Sequence, residues 1–226
     1  MARRHPLLFW FLVVAFVCAL GMATFDPVVA WYCKRHVGGA VEAFFRAVTT
    51  LGEGGFWYAA AGLVLAGNWL LAVREGTTER GHRLRCHARS AWFMIASMAA
   101  SGLVLSLTKF SLGRYRPRAL FDSGLYGFDP FSTHWAMNSF PSGHSQTIWS
   151  AMIALSFLFP RYRTAFLATA VLVSLSRVVL SVHYPSDVLM GSYLGIAVTL
   201  WLRRRFEARG LTLSISPSAS DCGRKC

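Results

Sequence analysis

Apolar residues along this chain gather into long runs, and its basic residues fall mostly in the short stretches between them. Six runs approach the roughly 17 to 25 residues that a helix needs to cross a bilayer. They are Leu7–Phe25, Phe56–Val73, Ala91–Thr108, Ser145–Phe159, Ala165–Val182 and Val188–Leu202. The fourth and sixth are short and need helical flanking residues to complete a crossing. Between the first two, Val37, Val41, Phe44, Phe45 and Val48 recur at helical spacing opposite Glu42 and Arg46. That stretch reads equally as an outer interfacial helix lying along the membrane or as a helix packed on its own protein. The pattern predicts an all-α fold, a polytopic membrane helix bundle of about six transmembrane helices.

Composition agrees with the pattern. A chain of 226 residues that is 54% hydrophobic, with a mean hydropathy of +0.43, is too apolar for a soluble domain. Residues 1–211 read as one integral membrane domain without internal repeats, and the Ser-rich tail from Thr212 to Cys226 is expected to be disordered. The first run also resembles a signal peptide, with Arg3-Arg4 before it and Ala19-Leu20-Gly21 as a cleavage site. Its continuation to Phe25 favours a span.

Charge then sets orientation, because cytoplasmic loops near span ends carry the excess of Lys and Arg. With the N-terminus inside, fifteen of the 23 basic residues fall on the cytoplasmic side, among them Arg74, Arg80, Arg83, Arg85, Arg89, Arg161, Arg163, Arg203, Arg204 and Arg205. Both termini are then cytoplasmic. The net charge of +13 is spread over short loops, so topology and anionic lipid explain it, and no nucleic-acid partner is expected. The five cysteines imply no disulfide framework, and Cys222 with Cys226 lacks the partners of a zinc site.

Eight basic residues remain on the outer side, and four of them, Lys109, Arg114, Arg116 and Arg177, belong to or adjoin three short segments that carry chemistry. Lys109 closes the third run, and Arg116-Pro117 follows after six intervening residues. A phosphoryl group in transfer spreads negative charge over its equatorial oxygens and calls for several fixed cations. Taken singly, each cation also reads as a snorkelling anchor. Pro141-Ser142-Gly143-His144 precedes the fourth run: Ser142 suits a helix cap, and Gly143 lets backbone amides approach an anion. Ser176-Arg177 lies near the outer end of the fifth run, where an arginine is costly unless paired or functional. His183 follows, then Tyr184-Pro185-Ser186-Asp187 at the start of the sixth, with Pro185 at an early helical position. Asp187 in reach of one imidazole nitrogen would fix the tautomer and free the other to attack; as a helix-start acid it would also favour the dipole. The topology brings all three segments to one membrane face. The outer loop from Leu112 to Phe140 is rich in aromatics, which read as interface anchors or as the lining of an acyl-chain entry.

These three segments resemble the tripartite signature of the type 2 phosphatidic acid phosphatase family, over residues 109–187 and without a substitution in the motifs. The resemblance implies an α-helical membrane phosphatase of the bacterial inner membrane with a periplasmic active site. In it His183 forms a phosphohistidine, Asp187 orients it and His144 protonates the leaving group. Lys109, Arg116, Ser142, Gly143 and Arg177 bind the phosphoryl oxygens, and no metal or other cofactor is implied. Relatives with this signature include soluble vanadium haloperoxidases, a reading that the apolar composition disfavours. A lipid-to-lipid phosphotransferase using the same nucleophile, and a non-catalytic lipid-binding or transport protein, are the alternatives; the latter needs the cations but neither His183 nor its orienter. Candidate substrates are undecaprenyl diphosphate, phosphatidylglycerophosphate, phosphatidic acid and a lipid A phosphate. The stretch Thr49 to Gly55 is similar to a feature of bacterial lipid phosphatases and does not choose among these or fix an oligomeric state.

Overall fold

In the computed structural model, residues 6–132, 137–211 and 213 are described. Nine α-helices follow one another among them: α1 (Pro6–Ala23), α2 (Asp26–His36), α3 (Gly39–Thr49), α4 (Gly54–Glu75), α5 (Glu79–Leu112), α6 (Pro117–Ser123), α7 (Gly143–Leu158), α8 (Arg163–Val179) and α9 (Pro185–Ala208). Short 3-10 turns at Thr50–Gly52 and Pro160–Tyr162 precede α4 and α8. The expected all-α membrane bundle is what forms. The expected disorder of the tail from Thr212 falls, Leu213 apart, outside the described residues.

Four helical segments are long and apolar enough to cross a membrane, namely Pro6–Ala23, Gly54–Glu75, Glu79–Leu112 and Pro160–Val179. Leu63, Val73 and Phe16 are exposed on these helices, as side chains that face acyl chains rather than water must be. Of the other two expected spans, α7 has only 16 residues, and α9 is more polar, with arginines in its last turns. Both pack on α5 and on each other, so their faces meet protein and tolerate polar and small residues. The α7 face buries Gln146, whose amide donates to Ser101 Oγ at 2.6 Å, and Ser150, which lies 2.8 Å from the same hydroxyl.

The α7–α9 contact depends on two glycines one helical turn apart. A Cβ on Gly191 would lie 2.3 Å from the Ser142 carbonyl oxygen, and one on Gly195 would lie 2.5 Å from that of Gln146. Small-xxx-small spacing of this kind lets two backbones approach where any larger residue would hold them apart. Here the approach also sets the start of α7 against the start of α9.

Several boundaries differ from the sequence reading for physical reasons. Helix α5 begins at Glu79, not near Ala91, because its arginine-rich first turns are good helix formers that a hydropathy run leaves out. Thr78 caps it, its hydroxyl accepting from the Gly81 N–H at 3.1 Å. The stretch between the first two spans is two helices; α3 packs on α8 yet has no buried residue, while α2 was not anticipated. Cys18 and Cys33 are buried free thiols.

Replacing Gly191 with alanine is expected to lower the thermal midpoint of the detergent-solubilised protein, by overpacking worth roughly 1–3 kcal/mol. Circular-dichroism melting reads this directly, and an unchanged midpoint would mean that the α7–α9 approach is not tight.

Candidate active site

The three segments singled out in the sequence meet at one end of the bundle, where α5 and α8 end and α7 and α9 begin. Backbone hydrogen bonds fasten them together. The Ser142 N–H donates to the Asp187 carbonyl at 2.9 Å, joining the second segment to the third. After α8 the chain turns sharply, and the N–H groups of Val182 and His183 both donate to the Arg177 carbonyl at 3.1 Å. That turn places the imidazole directly before α9, whose first residue is Pro185. Ser142 is the N-cap of α7, its hydroxyl accepting from the Ser145 N–H at 3.5 Å and the Ser145 hydroxyl at 3.1 Å.

Cations surround this junction. Lys109 Nζ donates to the Asn138 carbonyl at 2.6 Å, and Arg116 donates to the same oxygen at 3.4 Å. Arg177 Nη1 donates to Thr49 Oγ1 at 2.6 Å, while its Nε is buried without a partner. Lys109, Arg116 and Arg177 all lie within electrostatic reach of His144. Gly143 borders open space, since a Cβ there would meet nothing within 4 Å. Three fixed cations, one of them with an unsatisfied buried N–H, beside an open cradle at a capped helix N-terminus make a site for a tetrahedral oxyanion.

His183 is 3% exposed and Asp187 is fully buried. The imidazole Nδ1 lies 3.4 Å from Asp187 Oδ2, in ion-pair range but longer than a good hydrogen bond. Oδ2 also accepts from Ser139 Oγ at 2.6 Å and from the Tyr184 N–H at 2.9 Å. Asp187 therefore does both things the sequence left open: it caps α9 and it faces the histidine. Burial, opposed by the neighbouring carboxylate, depresses the His183 pKa and keeps the imidazole neutral. A neutral ring with Nδ1 turned to a carboxylate presents Nε2 as its nucleophilic atom. Arg116, outside the helices, also has its pKa lowered by burial, partly offset by Asp187.

Four contributors were not among the sequence candidates for the site. Thr49, at the end of α3, holds Arg177. Gly52 lies against His144, where a Cβ would come within 2.8 Å of the ring. Arg114, noted only as a neighbour of the motif, is 1% exposed and donates to Asp187 Oδ1 at 2.5 Å. Asp26, the first residue of α2, is fully buried and accepts from Arg114 at 2.8 Å. For Asp26 the available signal was an acid at the end of a long apolar run, where it is expensive unless paired. No group of three or more His, Cys, Asp or Glu side chains is placed to hold a metal ion among the described residues.

A family model described as the PAP2 superfamily matches residues 90–211. The lipid A 1-phosphatase of Rhizobium johnstonii is 41% identical over 125 residues, covering 55% of this chain and 51% of the relative. The undecaprenyl-diphosphatase of Sulfolobus acidocaldarius is 30% identical over 118 residues, covering 52% and 55% respectively. The match thus spans about half the length of these curated relatives. Among solved structures, the transmembrane PAP2-type phosphatidylglycerolphosphate phosphatase of Bacillus subtilis superposes with a TM-score of 0.61 at 20% identity, covering 92% of this chain and 98% of that one. At that identity the likeness speaks to the fold.

Thr49→Val removes the oxygen that accepts from Arg177 and leaves a second guanidinium N–H of that residue without a partner. Inorganic phosphate is expected to bind about fivefold more weakly, the equivalent of one hydrogen bond worth about 1 kcal/mol. Calorimetric titration of the detergent-solubilised protein measures it, and unchanged affinity would remove Thr49 from the site.

Proposed function

From the premise that the chain belongs to the PAP2 superfamily, we propose that it is a membrane lipid phosphatase working through a phosphohistidine on His183. The observation that carries this reading is the convergence of Lys109, Arg116 and Arg177 with His144 and a buried His183–Asp187 pair at one end of the bundle. A site that only bound lipid phosphate would need the cations, not a neutral buried imidazole with a carboxylate behind it.

The reaction has two displacements at phosphorus. A lipid phosphomonoester or diphosphate sits with its phosphoryl oxygens on Lys109, Arg116, Arg177, the Ser142 hydroxyl and the backbone at Gly143. His183 Nε2 attacks phosphorus, an N–P bond forms, and the bond to the bridging oxygen breaks. His144, protonated in the complex where the anionic phosphate offsets the surrounding cations, gives its proton to the departing oxygen. In the second half His144, now neutral, takes a proton from water, whose oxygen attacks phosphorus and breaks the N–P bond, releasing inorganic phosphate and restoring His183. Asp187 holds the Nδ1 proton throughout and stabilises the positive charge on the ring. Every step is carried by side chains of this chain, so we propose a reaction that is independent of metal.

The membrane arrangement proposed with it has six spans, α1, α4, α5, α7, α8 and α9, with both termini cytoplasmic. Support comes from the distribution of charge: Arg74, Arg80, Arg83, Arg85 and Arg89 cluster about the junction of α4 and α5, at the opposite end of α5 from Lys109. The site then opens to the periplasmic side of a bacterial inner membrane. The substrate is a lipid with a terminal phosphate; lipid A and undecaprenyl diphosphate take precedence because they are named in the relatives.

Purified protein in detergent with EDTA is expected to release inorganic phosphate from at least one of lipid A bearing its 1-phosphate, undecaprenyl diphosphate, phosphatidylglycerophosphate and phosphatidic acid. His183→Ala is expected to lose at least about a thousandfold in rate, as when an essential nucleophile is removed. Retained hydrolysis in that variant would sink the mechanism. Consumption of lipid without phosphate release, with the phosphoryl group appearing on a second lipid, would mark a phosphotransferase.

A further inference from the structure

We propose that Arg114 and Asp26 are positioning residues for the reaction, forming with Asp187 a buried charge relay that ties the N-terminal α1–α2 segment to the nucleophile. This rests on the phosphohistidine reading of His183. Arg114 contacts neither the cradle nor the imidazole; it acts through Asp187.

The geometry distinguishes this arginine from the three cations of the cradle. Its Nη1 donates to Asp187 Oδ1 at 2.5 Å and to Ser186 Oγ at 2.7 Å. Its Nη2 donates to Asp26 Oδ2 at 2.8 Å and to Tyr126 Oη at 2.9 Å. The guanidinium lies over the Tyr184 ring, 4.3 Å from its centroid. Ser186 completes the cluster: its N–H donates to Asp26 Oδ1 at 3.2 Å and its hydroxyl donates to Asp26 Oδ2. Tyr126 in turn donates to the Met22 carbonyl at 2.6 Å, at the end of α1. The backbone holds Arg114 in place from both sides. Gly113 turns the chain with φ +58°, and the Ser139 N–H donates to the Arg114 carbonyl at 3.0 Å.

Charge counting gives the cluster a function beyond holding the fold. Two fully buried carboxylates share one guanidinium, which leaves one formal negative charge behind His183. Such a charge is costly unless a cation faces it. Before the reaction Lys109 and Arg116 are the cations that attract it among the described residues. As the N–P bond forms, positive charge grows on the imidazole, directly against Asp187, and the cluster is compensated. The stabilisation is thus larger in the transition state than in the ground state, which is the condition for acceleration rather than mere binding. Asp26 lies outside residues 90–211, so the relay would make the N-terminal segment part of the catalytic apparatus.

Asp26→Asn keeps the size of the side chain and removes its charge; Arg114→Lys keeps the charge and removes the fork. Hydrolysis of lipid A bearing its 1-phosphate in detergent micelles should show kcat lowered at least about tenfold in each, with KM and the inhibition constant of inorganic phosphate within about threefold of wild type. A damaged fold would weaken phosphate binding as well. The relay is overturned if folded Asp26→Asn keeps wild-type kcat, or if phosphate affinity falls in step with kcat. Should Asp26→Asn fail to fold, Arg114→Lys decides by the same criteria. His183→Ala assayed alongside separates the two readings: activity in that variant defeats the phosphohistidine, whereas an inactive His183→Ala beside a wild-type Asp26→Asn defeats the relay alone.

Discussion

A carboxylate with no access to water keeps its charge only if protein donors replace its hydration shell, and Asp187 is surrounded by such donors from three separate stretches of chain. Arg114 reaches one oxygen from the loop after α5. Ser139 reaches the other from the segment before α7, and the Tyr184 N–H reaches it from the turn before α9. Its own carbonyl accepts from Ser142. Removing this one group would leave a buried guanidinium short of a partner, an uncapped helix and a junction without its centre. Leaving a buried charge unpaired in this way is among the most damaging single changes available to a protein. The arrangement of α5, α7 and α9 about the site therefore depends on an interaction that also addresses the proposed nucleophile.

The rest of the bundle serves that junction by different physics. Outer faces of α1 and α4 present large apolar side chains, as lipid contact requires. The inner contact of α7 with α9 uses glycines and small polar residues, because in a membrane close backbone approach and interhelical hydrogen bonds take over from hydrophobic burial. That close approach brings two helix N-termini together beside the cations. Burial then keeps His183 neutral, while Arg116 and Arg177 bring fork-shaped sets of N–H donors suited to phosphoryl oxygens. A nucleophile and an anion-binding set thus coexist within one small volume without neutralising each other.

Much of this was legible in the sequence, and the reasons differ by residue. The all-α membrane class followed from apolar runs, whereas the number of helices did not, since the short α2 and α6 carry no such run. That His183, Asp187, Ser142 and His144 lie at helix starts followed from local chemistry, in which a cap, a proline at a helix start and an acid in the first turn lie within a few positions of one another. Contacts between distant segments were not legible. Asp26 and Ser186 are 160 residues apart, and Thr49 and Arg177 are 128 apart; no periodicity encodes either meeting. Arg114 stood in view between Lys109 and Arg116, yet its separate task appears only when its fork is seen to point at two carboxylates. The true start of α5 was hidden because arginine-rich helical turns are too polar to register as part of a span.

In the proposed reaction phosphorus passes through a covalent bond to His183. Rapid mixing with substrate labelled in its terminal phosphate, an alkaline quench that preserves phosphohistidine, and peptide mapping test it most directly. Label is expected on the peptide containing His183, forming no more slowly than phosphate is released. Label confined to His144, or steady turnover with no label on either histidine, would contradict it.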